Sequence, residues 1–294
     1  MRKIVLLTFI SSLIVAGCGG YKSSDSTESS GKIKVFVSIP PQKFFLQRIG
    51  GDLVDVQVLV PPGSSPATYE PTAKQMSGLA ESQAYFKIGV PFEKSLLKKI
   101  ENILIDLNVV DTRKGIKLRP IEGEAEHHHH TGEELDPHIW LDPILVKIQA
   151  GTICDQLAQL DPAHKAVFEN NLAAFQAEID SVHTKITQLL LPFAGGEFFV
   201  FHPSYGYFAR RYELEQIAVE SSGKEPGAKQ LDEIIEKAQK CGINTVFVQN
   251  EYSSKTPEAV AGVINGRVVR LNPLSGDYLN NLLDIAQKIA GSFN

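Results

Sequence analysis

Short runs dense in β-branched and aromatic residues alternate with amphipathic stretches along most of the chain. Residues 33–39, 54–60 and 84–88 are such runs, and turn residues bound them. Periodic apolar positions predict helices over 43–49, 73–80 and 92–102. A second series starts after residue 195. Its strands are expected at 197–201, 215–219, 244–249 and 268–271, with helices at 205–212, 231–240, 257–264 and 278–289. A strand-helix-strand rhythm is that of a parallel sheet covered by helices. The fold class is therefore α/β, with largely parallel sheets.

Between the two series, Phe168, Leu172, Phe175, Ile179, Val182, Ile186 and Leu189 recur at alternating spacings of four and three, which marks one helix face. Asp161 reads as an N-cap and Pro162 as the first helical residue, while Pro192 ends the segment. A helix over 161–192 would run roughly 45 Å at about 1.5 Å per residue. Being continuous, it is stiffer than a loop hinge, so little closure motion is expected.

The N-terminus is an address. Arg2 and Lys3 precede an apolar stretch from Ile4 to Val15, then Ala16, Gly17 and Cys18. This is a secretory signal, and its end, Val15-Ala16-Gly17-Cys18, resembles the bacterial lipobox, which implies lipidation at Cys18. Residues 19–32 are rich in Gly, Ser and Thr and read as a flexible tether. The expected organisation is a signal peptide over 1–17, an anchored tether over 18–32 and an N-terminal lobe over 33–160 with an inserted loop at 119–137. The linking helix (161–192) and a C-terminal lobe over 193–294 follow.

Composition narrows the function. The chain of 294 residues carries a net charge of −5, and loss of residues 1–17, with two basic residues and no acid, makes that −7. No basic excess exists to neutralise phosphates, so nucleic acid is excluded as a partner. The chain has three cysteines, too few for a disulfide scaffold. Cys154 and Cys241, which lie in different parts of the chain, are read as two buried free thiols.

Histidine placement suggests metal chemistry. His127, His128, His129 and His130 sit in an acidic loop with Glu122, Glu124, Glu126, Glu133 and Glu134. Such tracts read as metal binding, here as a weak, exchangeable collector. His138 lies in Asp136-Pro137-His138-Ile139-Trp140-Leu141-Asp142-Pro143. His202 follows the strand at 197–201, and ligands of open α/β sheets sit at the carboxyl ends of strands. The two histidines are thus expected to face one cleft between lobes. His164 and His183 read as surface residues.

These motifs resemble the zinc- and manganese-binding solute-binding lipoproteins of bacterial ABC transporters. The resemblance covers essentially the whole mature chain. Further marks are Pro61-Pro62-Gly63, Tyr69-Glu70-Pro71-Thr72, Phe201-His202-Pro203-Ser204-Tyr205-Gly206-Tyr207-Phe208 and Asn272-Pro273-Leu274. The resemblance implies two similar lobes joined by one long rigid helix, with a divalent metal, zinc first and manganese second, between them. It implies a lipid-anchored, extracytoplasmic monomer that hands its metal to an ABC permease. Of the four ligands it implies, His138 and His202 are present. Ala67 stands where a histidine is expected, and Asn272 where an aspartate is expected. The substitutes considered are Glu251, then the His-rich loop, then Asp277.

Two other readings stay open. One is the same fold with an altered cleft that binds a different metal complex or small solute. The other is a metal-dependent hydrolase, for which the sequence offers no His-Glu-x-x-His, Gly-x-Ser-x-Gly or phosphate loop. The chain is accordingly read as a binding protein and not an enzyme.

Overall fold

The computed structural model describes residues 31–122, 135–220 and 226–293. The N-terminal lobe runs β1 (Ile33–Val37), α1 (Pro40–Gly50), β2 (Val54–Val58), α2 (Ala73–Ala80), β3 (Ala84–Lys87), α3 (Phe92–Ile100) and β4 (Asn108–Asp111). Then come α4 (Pro143–Leu160) and α5 (Lys165–Leu190). The C-terminal lobe follows as β5 (Glu197–Val200), α6 (Gly206–Arg211), β6 (Glu215–Ala218), α7 (Ala228–Lys240), β7 (Thr245–Gln249), α8 (Lys255–Val263), β8 (Arg267–Leu271) and α9 (Tyr278–Ala290).

Each lobe holds a four-stranded sheet, ordered β2-β1-β3-β4 in the first and β6-β5-β7-β8 in the second. All pairings between these strands are parallel. The two sheets share one winding order, a structural repeat that the sequence does not display.

Along β5 the side chains alternate between two cores, as the period of two in a strand requires. Phe198 and Val200 join the main core, which includes the first sheet, α4, α5 and α9. Phe199 and Phe201 join a smaller core beneath α7 and α8. The main core also ties the ends of the chain together. Phe44 and Phe45 of α1 meet Tyr278 of α9 at ring distances of 6.1 and 4.8 Å.

Helix α5 buries Phe168, Phe175, Ile179, Val182, Ile186 and Leu190, close to the face read from periodicity. Leu172 and Leu189 are only half-buried. Asp161 does not cap this helix. Its side chain bonds to His164 Nδ1 at 2.6 Å instead of a backbone N–H, so Pro162–His164 forms a 3-10 turn and the α-helix starts at Lys165.

Two elements were not expected. Helix α4 begins at the second Asp-Pro of the chain, where the Asp142 carboxylate accepts from Ile144 N at 2.9 Å. Strand β4 is an edge strand that buries only Val110.

Three sequence expectations are corrected. Cys154 is buried, but Cys241 is exposed, because it lies just past the end of α7; both are free thiols. His164 and His183 are half-buried rather than on the open surface. His164 is held by Asp161, and His183 Nδ1 lies 3.2 Å from the Tyr212 hydroxyl. Among the described residues no helix is long and apolar enough to cross a membrane.

Candidate metal centre

His202 sits just beyond the carboxyl end of β5. The buried Gln249, at the end of neighbouring β7, fixes its backbone. Gln249 Oε1 accepts from His202 N at 3.3 Å, and Gln249 Nε2 donates to His202 O at 2.6 Å. Tyr252 stacks on the imidazole at 5.1 Å between ring centroids. The Nδ1 side of the ring bonds to the buried carboxylate of Glu220, which follows β6.

His138 lies in a tight turn before α4. Asp136 Oδ1 accepts from both its backbone N–H, at 2.9 Å, and its Nδ1, at 2.7 Å. Trp140 packs against the ring. The turn is bound to the C-terminal lobe. Trp140 Nε1 donates to Pro273 O at 2.8 Å, Tyr278 Oη to Trp140 O at 2.7 Å, and Tyr207 Oη to Asp136 O at 3.0 Å. The expected pair of histidines, one ahead of α4 and one after β5, is thus brought together.

The two Nε2 atoms face each other at 3.4 Å. Each Nδ1 carries its proton toward a carboxylate, which leaves each Nε2 as a lone pair. Two lone pairs at this distance repel unless a cation stands between them. Nitrogen ligands about 2.0–2.1 Å from a tetrahedral zinc are about 3.3 Å apart. The observed separation is that of two ligands of one ion. Burial holds the His138 imidazole below its ordinary range against the pull of Asp136, so it remains neutral and able to ligate.

The imidazoles open on a cavity of about 420 Å³. Its walls come from loops at the carboxyl ends of strands in both lobes, where this architecture places ligands. Ala67 is on the wall, as are Val90 and Pro91. The 88–91 wall is braced from behind by the buried Glu93, whose Oε1 accepts from Ile88 N at 2.9 Å and whose Oε2 accepts from Gly89 N at 2.7 Å. Gly89 has φ of 94°, a conformation that favours glycine.

Glu251 lines the cavity, half-buried, and burial raises its carboxyl pKa. Asn272 is not a wall residue; its Oδ1 accepts from Leu274 N at 3.0 Å and shapes the Pro273 turn. Asp277 is exposed at the start of α9, where Asn280 Nδ2 donates to both its oxygens. His127, His128, His129, His130 and Cys18 lie outside the described residues. Among the described residues no group of three or more His, Cys, Asp or Glu side chains is assembled to hold an ion. Ala67 brings no donor to the wall it occupies.

Sequence reasoning missed the roles of Asp136, Glu220 and Gln249. Asp136 was readable, since an aspartate two residues before a histidine can bond that residue's own backbone. Glu220 and Gln249 become neighbours of His202 only through the order of strands in the sheet.

The chain is similar to known proteins over almost its whole length. The family described as zinc-uptake complex component A, periplasmic, matches residues 35–292. The high-affinity zinc uptake system protein ZnuA of Bacillus subtilis is 27% identical over 280 residues, covering 90% of this chain and 86% of that protein. The zinc-binding lipoprotein AdcA of Streptococcus pneumoniae is 27% identical over 93% of this chain and 56% of its own length. A crystal structure of a ZnuA superposes with a TM-score of 0.84 at 42% identity, covering 90% of this chain and all of that one. A zinc-bound deletion mutant of ZnuA gives 0.83 at 42% identity, covering 89% and 98%.

Proposed function

The chain belongs to the zinc-uptake complex component A family, and on that premise we propose that it captures zinc outside the cytoplasm and delivers it to an ABC permease. It is a solute-binding protein and not an enzyme. The observation that carries this reading is the pair of Nε2 atoms 3.4 Å apart, each backed by a carboxylate on its far side. That arrangement fixes tautomer and ring orientation before the ion arrives.

His138 and His202 are the principal ligands. Glu251 supplies the carboxylate, since it lines the same cavity and has no ion-pair partner among the described residues. Such a set carries less negative charge than one with two carboxylates, which favours release on docking to the permease. Asn272 acts by holding the Pro273 turn under Trp140. The histidines 127–130 act as an outer collector. Both principal imidazoles come from one chain, which fits action as a monomer. Anchoring through Cys18 is supported by the Val15-Ala16-Gly17-Cys18 pattern and by likeness to a lipoprotein.

Titration calorimetry with zinc tests the reading on three proteins: the wild type, His138→Ala with His202→Ala, and a variant lacking 123–134. The bridge between Pro120 and Leu135 brings the ends of that deletion together. Loss of tight binding in the double variant, with retention in the deletion, is the expected result. Retention in the double variant sinks the reading.

A further inference from the structure

We propose that this site takes zinc as a complex with a small amino-acid-like ligand, which binds the ion through one nitrogen and one carboxylate oxygen. The inference rests on the zinc reading above and extends it to the form of the cargo. Three observations carry it. The first is the shortage of protein donors. Two imidazoles point at one ion position, Glu251 lines the same cavity but is not assembled with them into a group of three among the described residues, and Ala67 on the wall offers nothing.

The second is space. A cavity of about 420 Å³ lies within the range of small-molecule sites, roughly 300–1,000 Å³. An ion with its waters needs far less, at about 30 Å³ per water. The third is the character of the wall. Val90, Pro91, Ile121, Trp140 and Leu274 line it with apolar surface, which suits an aliphatic side chain and gives little to water.

In the complex, two imidazoles, Glu251 and the two donor atoms of the ligand make five contacts, a number zinc adopts. Waters leave the ion as these donors arrive, and no covalent bond is made or broken. The side chain of the ligand then lies against the apolar wall.

The test uses the purified protein with radiolabelled zinc and, in excess, differently labelled L-leucine, followed by gel filtration. N-acetyl-leucine, whose blocked amine cannot chelate, is the control. The expected result is one leucine retained per zinc, none without zinc, and no retention of the acetylated form. Ala67→His, at an exposed position that lines the cavity, is expected to keep zinc and lose leucine. Zinc retained without leucine overturns the proposal and leaves the zinc reading standing. Retention of leucine without zinc, of N-acetyl-leucine, or of leucine by Ala67→His also overturns it. Loss of both labels from the wild type overturns the zinc reading itself.

Discussion

Arg211 of α6 grips Asp142, the residue that caps α4 four positions after His138. Arg211 Nε lies 2.9 and 3.0 Å from the two carboxylate oxygens, and Nη2 lies 2.8 Å from Oδ2. Together with the Trp140–Pro273, Tyr278–Trp140 and Tyr207–Asp136 bonds, this pair fastens the His138 turn to the C-terminal lobe. Both imidazoles therefore ride on one body, while residues 65–68 and 90–91 of the N-terminal lobe line the same cavity. Little relative motion of the histidines is expected.

Removing that grip leaves a buried carboxylate with one partner fewer. Arg211→Ala is expected to destabilise the fold by about 2–3 kcal/mol. Urea denaturation of the metal-free protein measures this. An unchanged midpoint would show that the ion pair holds nothing together.

The carboxylates behind the imidazoles set affinity without touching the ion. Asp136→Asn and Glu220→Gln are each expected to weaken zinc binding by about 10–100-fold. Calorimetry gives the affinity, and circular dichroism checks that the fold persists. Wild-type affinity in both variants would remove the positioning role.

Zinc and protons compete for the same Nε2 lone pairs. Because burial lowers the His138 pKa below 6.5, its neutral form survives into mildly acid solution. The share of zinc affinity carried by His138 should persist as pH falls through 6.5 and be lost only below it. Kd values for the wild type and His138→Ala across this range isolate that share, and its loss above 6.5 would refute the effect of burial.

Asp111 offers a pH test away from the cavity. Burial pushes its carboxyl up, but Arg113 and Lys87 outweigh burial and hold it well below the usual range. A depressed folded-state pKa contributes stability above the unfolded value, and that contribution is lost as pH falls through the folded one. The pair is partly exposed, so Asp111→Asn should cost only about 1 kcal/mol at neutral pH. The gap from wild type should close under strong acid. Thermal unfolding at several pH values checks both parts.

Much of this architecture was legible in the sequence because its signals are local. The strands of both sheets are short apolar runs, and the α5 face follows from spacing alone. Helix α4 carries the same Asp-Pro start signal that was read at Asp161 and was still missed. Strand β4 has no alternation to read, since one residue of four is buried. At Asp161 the cap failed because the neighbouring His164 competes for the carboxylate. His138 and His202 were legible from their motifs. Their carboxylate backing was not, because Glu220 reaches His202 through a strand pairing 18 residues distant.

The meeting of Phe44 and Phe45 with Tyr278 has a consequence for biogenesis. Phe44 and Phe45 also meet Phe175 of α5, each at 5.9 Å, so this aromatic cluster joins the first, middle and last parts of the chain and is complete only once α9 is present. Long-range contacts of this kind slow folding. In a member of a family described as periplasmic, such a delay keeps the chain open for longer before it reaches its working compartment.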